Sequence, residues 1–210
     1  MGAIGAVILA AGMSRRMGQP KLLLPFLGKP LFRYSVDAAI QAGLQPVVIV
    51  GGSRMEELLR HVADCADIEG IENQDYQSGM ASSLQAGLQA VKGRADAAIV
   101  FLADQPLVAP VVINEIVRHY NLHRHEGIRI VRPEYQGRPG HPVLFDADLF
   151  AELEHIRGDE GGKSILIKHR SLLHVVPFAN EQWGMDIDTP DDLRQLEKIA
   201  YAAGGEDGPK

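Results

Sequence analysis

The sequence predicts a single α/β domain built on a mostly parallel sheet with helices on both faces. Three observations predict it. The chain has 210 residues, 46% of them hydrophobic, which suits one domain with a substantial core. Short apolar runs rich in β-branched residues alternate with stretches of helical length, the pattern of parallel strands joined by right-handed crossovers. Residues with chemistry to offer fall just after those apolar runs, at the strand ends where open α/β sheets bind ligands.

The first run, over 4–11, is too short for a membrane span and reads as a buried strand. A helix follows with Pro30 in its first turn, Leu31, Tyr34, Ala38 and Ile40 as its buried stripe and Gly43 at its end. A strand over 46–50, a helix capped by Ser53 and carrying Glu56, Glu57 and Arg60, and a short strand over 68–71 come next. The polar stretch 73–83 leads into a helix over 81–91, which delivers the chain to a strand over 97–102. A helix over 110–123, a strand over 128–132, a turn-rich stretch over 134–140 and a helix over 147–156 capped by Asp146 extend the alternation. A short helix after Lys163 and a strand over 172–176 precede the last helix. Thr189 has the chemistry of its cap and Pro190 that of its first position, and Asp191 and Asp192 are favoured there by the helix dipole. The domain is expected over 1–203, with 204–210 a patternless polar tail expected to be disordered.

Composition narrows the function classes. A net charge of −6 argues against a general nucleic-acid surface, which makes local clusters of cations informative. No apolar run is long enough for a bilayer, and no charged region precedes the first one, so neither a membrane nor a secretory signal is expected and a cytoplasmic protein is. Cys65 is the sole cysteine, with no intrachain partner, and reads as a helix residue without a chemical role.

The stretch from Leu9 to Lys21 is the most informative. Ala10, Ala11, Gly12 and Ser14 have little or no side chain, so an anion can approach the backbone N–H groups, while Arg15, Arg16 and Lys21 supply positive charge. These residues fit a phosphate site, and they also fit a solvated loop. Two familiar phosphate loops are excluded, since neither G-x-G-x-x-G nor G-x-x-x-x-G-K-[ST] follows the strand. Gly161-Gly162-Lys163-Ser164 imitates the end of the second motif, but Arg157 occupies its first glycine position. Asp104, at the mouth of the 97–102 strand and followed by Gln105-Pro106, either holds a divalent cation or caps the next helix. Asp186 and Asp188 alternate on a short extended segment and so point to one face, from which they reach toward Asp104. His119, His123 and His125 have helical spacing but no carboxylate or cysteine companion, and read as a solvated helix end rather than a zinc site.

The opening stretch resembles the L-A-x-G-x-(S/G)-x-R-M-x-x-x-K signature of nucleotidyltransferases with a Rossmann-like (GT-A-type) three-layer sandwich fold. It is most similar to the molybdenum cofactor nucleotidyltransferases, and among them to the cytidylyltransferase branch, whose alanine at the third loop position is Ala11 here. Asn73–Ser83, Asp104-Gln105-Pro106, Gly140-His141-Pro142-Val143, Gly158-Asp159-Glu160-Gly161-Gly162-Lys163 and Asp186-Ile187-Asp188-Thr189-Pro190 resemble the family's later motifs in order, so the resemblance spans 9–193. It implies transfer of CMP from CTP to the phosphate of molybdopterin-bound molybdenum, releasing pyrophosphate, with Mg2+ or Mn2+ as cofactor and an apo molybdenum hydroxylase as a further partner. Arg16, Lys21 and Asp104 are then the catalytic residues, and Asp104, Asp188 and Asp186 the metal ligands. Leu9, Ala10, Ala11, Gly12, Ser14, Arg15, Arg16, Lys21, Ser78, Gly79, Ser82 and Ser83 would bind the nucleotide, and Gly140, His141 and Lys163 the acceptor. A guanylyl or sugar- or alcohol-phosphate nucleotidyltransferase, and a cofactor-carrying chaperone, are the competing readings.

Overall fold

The computed structural model describes residues 2–12 and 17–204. Strand β1 (Ile4–Ala10) lies between two parallel neighbours, β4 (Val47–Gly51) and β6 (Ala97–Leu102), with Val7 opposite Val48 on one side and Val100 on the other. Strand β5 (Ile68–Glu72) continues the parallel set beyond β4. On the other side β9 (Val143–Asp146) runs antiparallel between β6 and β7 (Ile130–Tyr135), and β10 (Leu173–Phe178) pairs parallel with β7 at the edge. The order is β5-β4-β1-β6-β9-β7-β10, with the short β8 (Arg138–Pro139) added to β7. A separate two-stranded ribbon joins β2 (Pro25–Phe26) to β3 (Lys29–Pro30).

Strand alternation divides the core in two. Ala6, Ile8, Val47, Ile49, Ile99 and Phe101 pack on one face, with residues of α1 (Arg33–Gln41), α2 (Met55–Arg60), α4 (Pro110–His123) and α7 (Pro190–Gly204). Val7, Val48, Val50 and Val100 pack on the other, with α3 (Met80–Val91), α5 (Phe150–Leu153) and α6 (Lys163–Lys168). Both faces of the central strands are therefore covered, which is why they read as continuous apolar runs. Each buried aliphatic chain contributes about 1.5–3 kcal/mol. Gly87 lets α3 lie directly on β1, since a Cβ there would sit 2.3 Å from Val7 Cγ1. The expected layering, a mostly parallel sheet in a three-layer sandwich, is what the structure shows.

Several local expectations are corrected. Pro30 pairs in β3, α1 begins only at Arg33, and Ile40 is exposed, while Val36 and Ala39 fill the buried face with Ala38. Gly43 does follow the helix with positive φ, as a terminator should. Ser53 makes no cap hydrogen bond: Arg54 occupies the cap position of α2. The stretch 134–140 is turn only at its centre, because β7 runs on to Tyr135 and β8 begins at Arg138. The helix expected over 147–156 is a 3-10 turn at Ala147–Leu149 followed by one turn of α helix, and Asp146 caps it by accepting from Asp148 N–H at 2.9 Å. Gly204 belongs to the last helix, and the rest of the expected tail lies outside the described residues. Among the described residues no helix is long and apolar enough to cross a membrane.

Candidate active site

Lys21 follows the opening loop in a 3-10 turn, and its side chain is only 8% exposed. Its Nζ donates to Asp104 Oδ2 and to Asp188 Oδ1, both at 2.8 Å. Burial alone would push the ammonium toward neutrality, but the charges and hydrogen bonds of Asp104 and Asp188 outweigh it and the Lys21 pKa is raised. Asp104 reaches this point because β6 ends at Leu102, so the residues after it leave the sheet at its carboxyl edge.

The other two carboxylates arrive on the extended segment before α7. Ile187 is fully buried and its N–H donates to the Asp104 carbonyl at 3.0 Å, which turns Asp186 and Asp188 to the opposite side. A reciprocal cap fixes the end of this segment: Thr189 Oγ1 accepts from Asp192 N–H at 3.2 Å, and Asp192 Oδ2 accepts from Thr189 N–H at 2.7 Å and Asp188 N–H at 3.0 Å. One oxygen from each of Asp104, Asp186 and Asp188 lies within 4.8 Å of the others. Asp186, the exposed member, has its pKa pushed up by partial loss of water and by the charges of Asp104 and Asp188. Three close carboxylates on rigid supports are hard oxygen donors suited to Mg2+ or Mn2+.

Asp104 also lines a cavity of about 410 Å3, together with Leu9, Ala11, Gly12, Ser78, Gly79 and Ser83. Ala10 lines a neighbouring cavity of about 500 Å3, which shares Ala11, Gly12 and Tyr76 with the first. Most of the expected nucleotide residues thus meet at one place. Ser82 is turned inward to its own loop, where Asn73 Nδ2 donates to Ser82 Oγ at 2.8 Å and to Ser83 Oγ at 3.0 Å. Ser14, Arg15 and Arg16 lie outside the described residues.

On the acceptor side, His141 is half-buried, and burial pushes its pKa down to about 4 against the opposing pull of Asp104, so its ring is neutral at neutral pH. Gly140 packs on Tyr135, whose hydroxyl donates to the His141 carbonyl at 2.8 Å; a Cβ on Gly140 would stand 2.3 Å from that ring. Lys163 is exposed at the start of α6 and lines neither cavity. The loop before it caps α3 from outside, since Gly158 O accepts from Ala81 N–H and Asp159 Oδ1 from Met80 N–H. Sequence reasoning missed Tyr76 as the wall between the cavities, and the Gly52-Ser53-Arg54 wall after β4. The signal for the second was present in a double glycine closing an apolar run.

Comparison with known proteins finds relatives over most of the chain. The chain is 30% identical over 194 residues to molybdenum cofactor cytidylyltransferase of Escherichia coli (strain K12), covering 92% of this chain and 95% of that one. It is also 30% identical over 202 residues to nicotine blue oxidoreductase of Paenarthrobacter nicotinovorans, covering 92% and 96%. Among solved structures, Rv0371c of Mycobacterium tuberculosis H37Rv in complex with manganese superposes with a TM-score of 0.75 at 28% identity, covering 93% of this chain and 98% of that one. The model of the MobA-like NTP transferase domain matches residues 6–173, and the chain belongs to that family of nucleotidyltransferases.

Proposed function

We propose that this protein transfers CMP from CTP to the phosphate of a molybdopterin-type molybdenum cofactor, giving molybdopterin cytosine dinucleotide and pyrophosphate. The observation that carries the reading is the convergence of Lys21, Asp104, Asp186 and Asp188 beside a cavity walled by the small-residue loop. An acceptor phosphate oxygen attacks the α-phosphorus of CTP, and the bond from that phosphorus to the oxygen bridging to the β-phosphate breaks, so no protein nucleophile is needed. The residues supply placement and charge neutralisation. Leu9, Ala10, Ala11, Gly12, Ser78, Gly79 and Ser83 hold the nucleotide, with Ser82 bracing their loop through Asn73 and Gly79, and Lys21 with Arg15, Arg16 and Ser14 neutralises and positions its triphosphate. Asp104, Asp188 and Asp186 hold Mg2+ or Mn2+, which when bound offsets charge on the α-phosphate and the departing pyrophosphate. Gly140, neutral His141 and Lys163 face the acceptor. The Ala11 methyl favours a pyrimidine over the larger purine by a small margin, of about 1–3 kcal/mol at most. The product passes in the cytoplasm to an apo molybdenum hydroxylase; the overall negative charge fits neither a nucleic-acid nor an anionic membrane partner.

The test is pyrophosphate release by purified protein with Mg2+, each nucleoside triphosphate and molybdenum cofactor in turn. CTP and the cofactor together should give the highest rate, and Asp104→Asn should lower kcat on the order of a hundredfold while leaving the thermal transition in place. A preference for GTP would move the assignment to a guanylyltransferase, and a sugar or alcohol phosphate as the better acceptor would replace the molybdenum cofactor. The equal identity to a relative named an oxidoreductase supports one competing reading, electron transfer, which CTP-dependent pyrophosphate release would decide against.

A further inference from the structure

A second cluster of ligating side chains lies away from the carboxylates. His119 and His123 stand four residues apart on α4 and face His174 of β10, with ring centroids 4.7 Å and 4.6 Å from His174 and 5.8 Å from one another. One ring nitrogen from each lies within 4.8 Å of the other two. The helical spacing that reads in sequence as a solvated face is therefore half-buried against the edge strand, and its third member is His174 rather than His125.

The histidines are set up as ligands in further respects. His119 Nδ1 is buried with no hydrogen-bond partner, an unmet polar group that a metal bond would satisfy. His119 Nε2 lies 2.8 Å from Arg118 Nη2, which can only donate, so without metal Nε2 accepts and Nδ1 carries the ring hydrogen; coordination through Nδ1 takes the other tautomer, with Arg118 turned fully to Glu115, whose Oε2 already accepts from Nη2 at 2.6 Å. His123 Nδ1 lies 2.8 Å from Glu126 Oε2, which leaves Nε2 for a metal in the carboxylate–histidine–metal arrangement. Burial lowers the pKa of both His119 and His174, with Arg118 adding to the effect at His119 and the neighbouring imidazoles at His174, which favours the uncharged rings that a metal needs.

We infer that His119, His123 and His174 form a binding site for a divalent transition metal of the zinc class, with its fourth position open to solvent. Imidazole nitrogens select such ions over Mg2+, which keeps this site chemically separate from the three carboxylates. Tetrahedral zinc with bonds of about 2.0–2.1 Å needs its nitrogens about 3.4 Å apart, and the three rings stand stacked at interplanar angles of 17°, 26° and 20°, so they must rotate out of the stack for their in-plane lone pairs to converge on one ion. The role is structural. His174 is the second residue of β10 and pairs with Val131 near the start of β7, and α4 reaches it with its C-terminal turn, so the site lies at the amino edge of these strands. Asp104 lies beyond the carboxyl edge of β6, which runs the same way as β7. A metal here would cross-link α4 to an edge strand that pairs on one side only.

The experiment is zinc binding by the full chain, stripped of metal and titrated in competition with a chromogenic chelator, with the histidine Hε1 NMR signals followed in parallel. About one Zn2+ per chain should bind at micromolar or tighter concentration, and three histidine signals should move together in the unaltered protein. Binding should weaken about tenfold or more in His123→Gln and in His174→Gln, and persist in Asp188→Asn and in excess Mg2+. Circular dichroism and retained pyrophosphate release show that the histidine variants are folded. Zinc binding unchanged in both histidine variants, binding lost in Asp188→Asn, or no stoichiometric binding by the unaltered chain would each overturn the assignment.

Discussion

Lys21 shows how single residues acquire their properties here. A lysine at 8% side-chain exposure keeps its charge because two carboxylates hold it at 2.8 Å. Lys21→Ala should lower kcat/KM for CTP on the order of a hundredfold, while a change confined to the KM of the acceptor would place Lys21 on the wrong substrate. His141 is the opposite case, a side chain kept neutral by burial. Its pKa falls from the ordinary 6.5 to about 4, so the unfolded chain binds the extra proton between those values. Its stabilising contribution is complete above pH 6.5 and is lost as pH falls toward 4. The His141 Hε1 signal should hold its neutral shift down to about pH 5, and a midpoint between 6 and 7 would contradict the burial.

At the scale of elements, the carboxylate pair depends on the cap of α7. Thr189→Ala removes the acceptor for Asp192 N–H and should cost about 1 kcal/mol in urea unfolding, together with weaker Mn2+ binding if the cap also steadies Asp188. Unchanged stability would show that Asp192 alone terminates the segment. This cap was legible in sequence because Thr, Pro and two acids act within four residues. Ser53 misled for the complementary reason: a serine before a helix is a good local signal, but Arg54 takes the cap position and Ser53 instead lines a cavity with Tyr76 of a distant loop. Strand β9 was not legible as a strand. Its four buried residues are covered on both faces and so show no alternation, and its antiparallel pairing is with β6, from Ala97 opposite Asp146 to Val100 opposite Val143, and with β7, where Ile130 is opposite Phe145 and Val131 opposite Leu144, all remote along the chain. His174 was missed likewise, since only packing brings it to His119 and His123.

In the whole molecule, the alternation of strand and helix gathers at one sheet edge groups that are remote along the chain. Leu9 is near the end of β1 and Ala11 and Gly12 follow it, Asp104 follows β6, and Asp186 and Asp188 come from beyond β10, with Ile187 between them bonded to the Asp104 carbonyl. That gathering was predictable from the parallel topology and the ordered motifs, whereas the side chains that close the cavity walls, Tyr76 among them, were set by loop packing. Such a site has one chemical consequence that separates it from a carrier, a hydrolase or an oxidoreductase: the α-phosphate of the nucleotide leaves with the acceptor. The decisive measurement follows CTP labelled in parallel at the α- or γ-phosphorus with molybdenum cofactor as acceptor. The α-label should appear in the pterin product and the γ-label only in pyrophosphate, at rates that collapse in Asp104→Asn; γ-label in orthophosphate, or α-label remaining in free nucleotide, would contradict nucleotidyl transfer at this site.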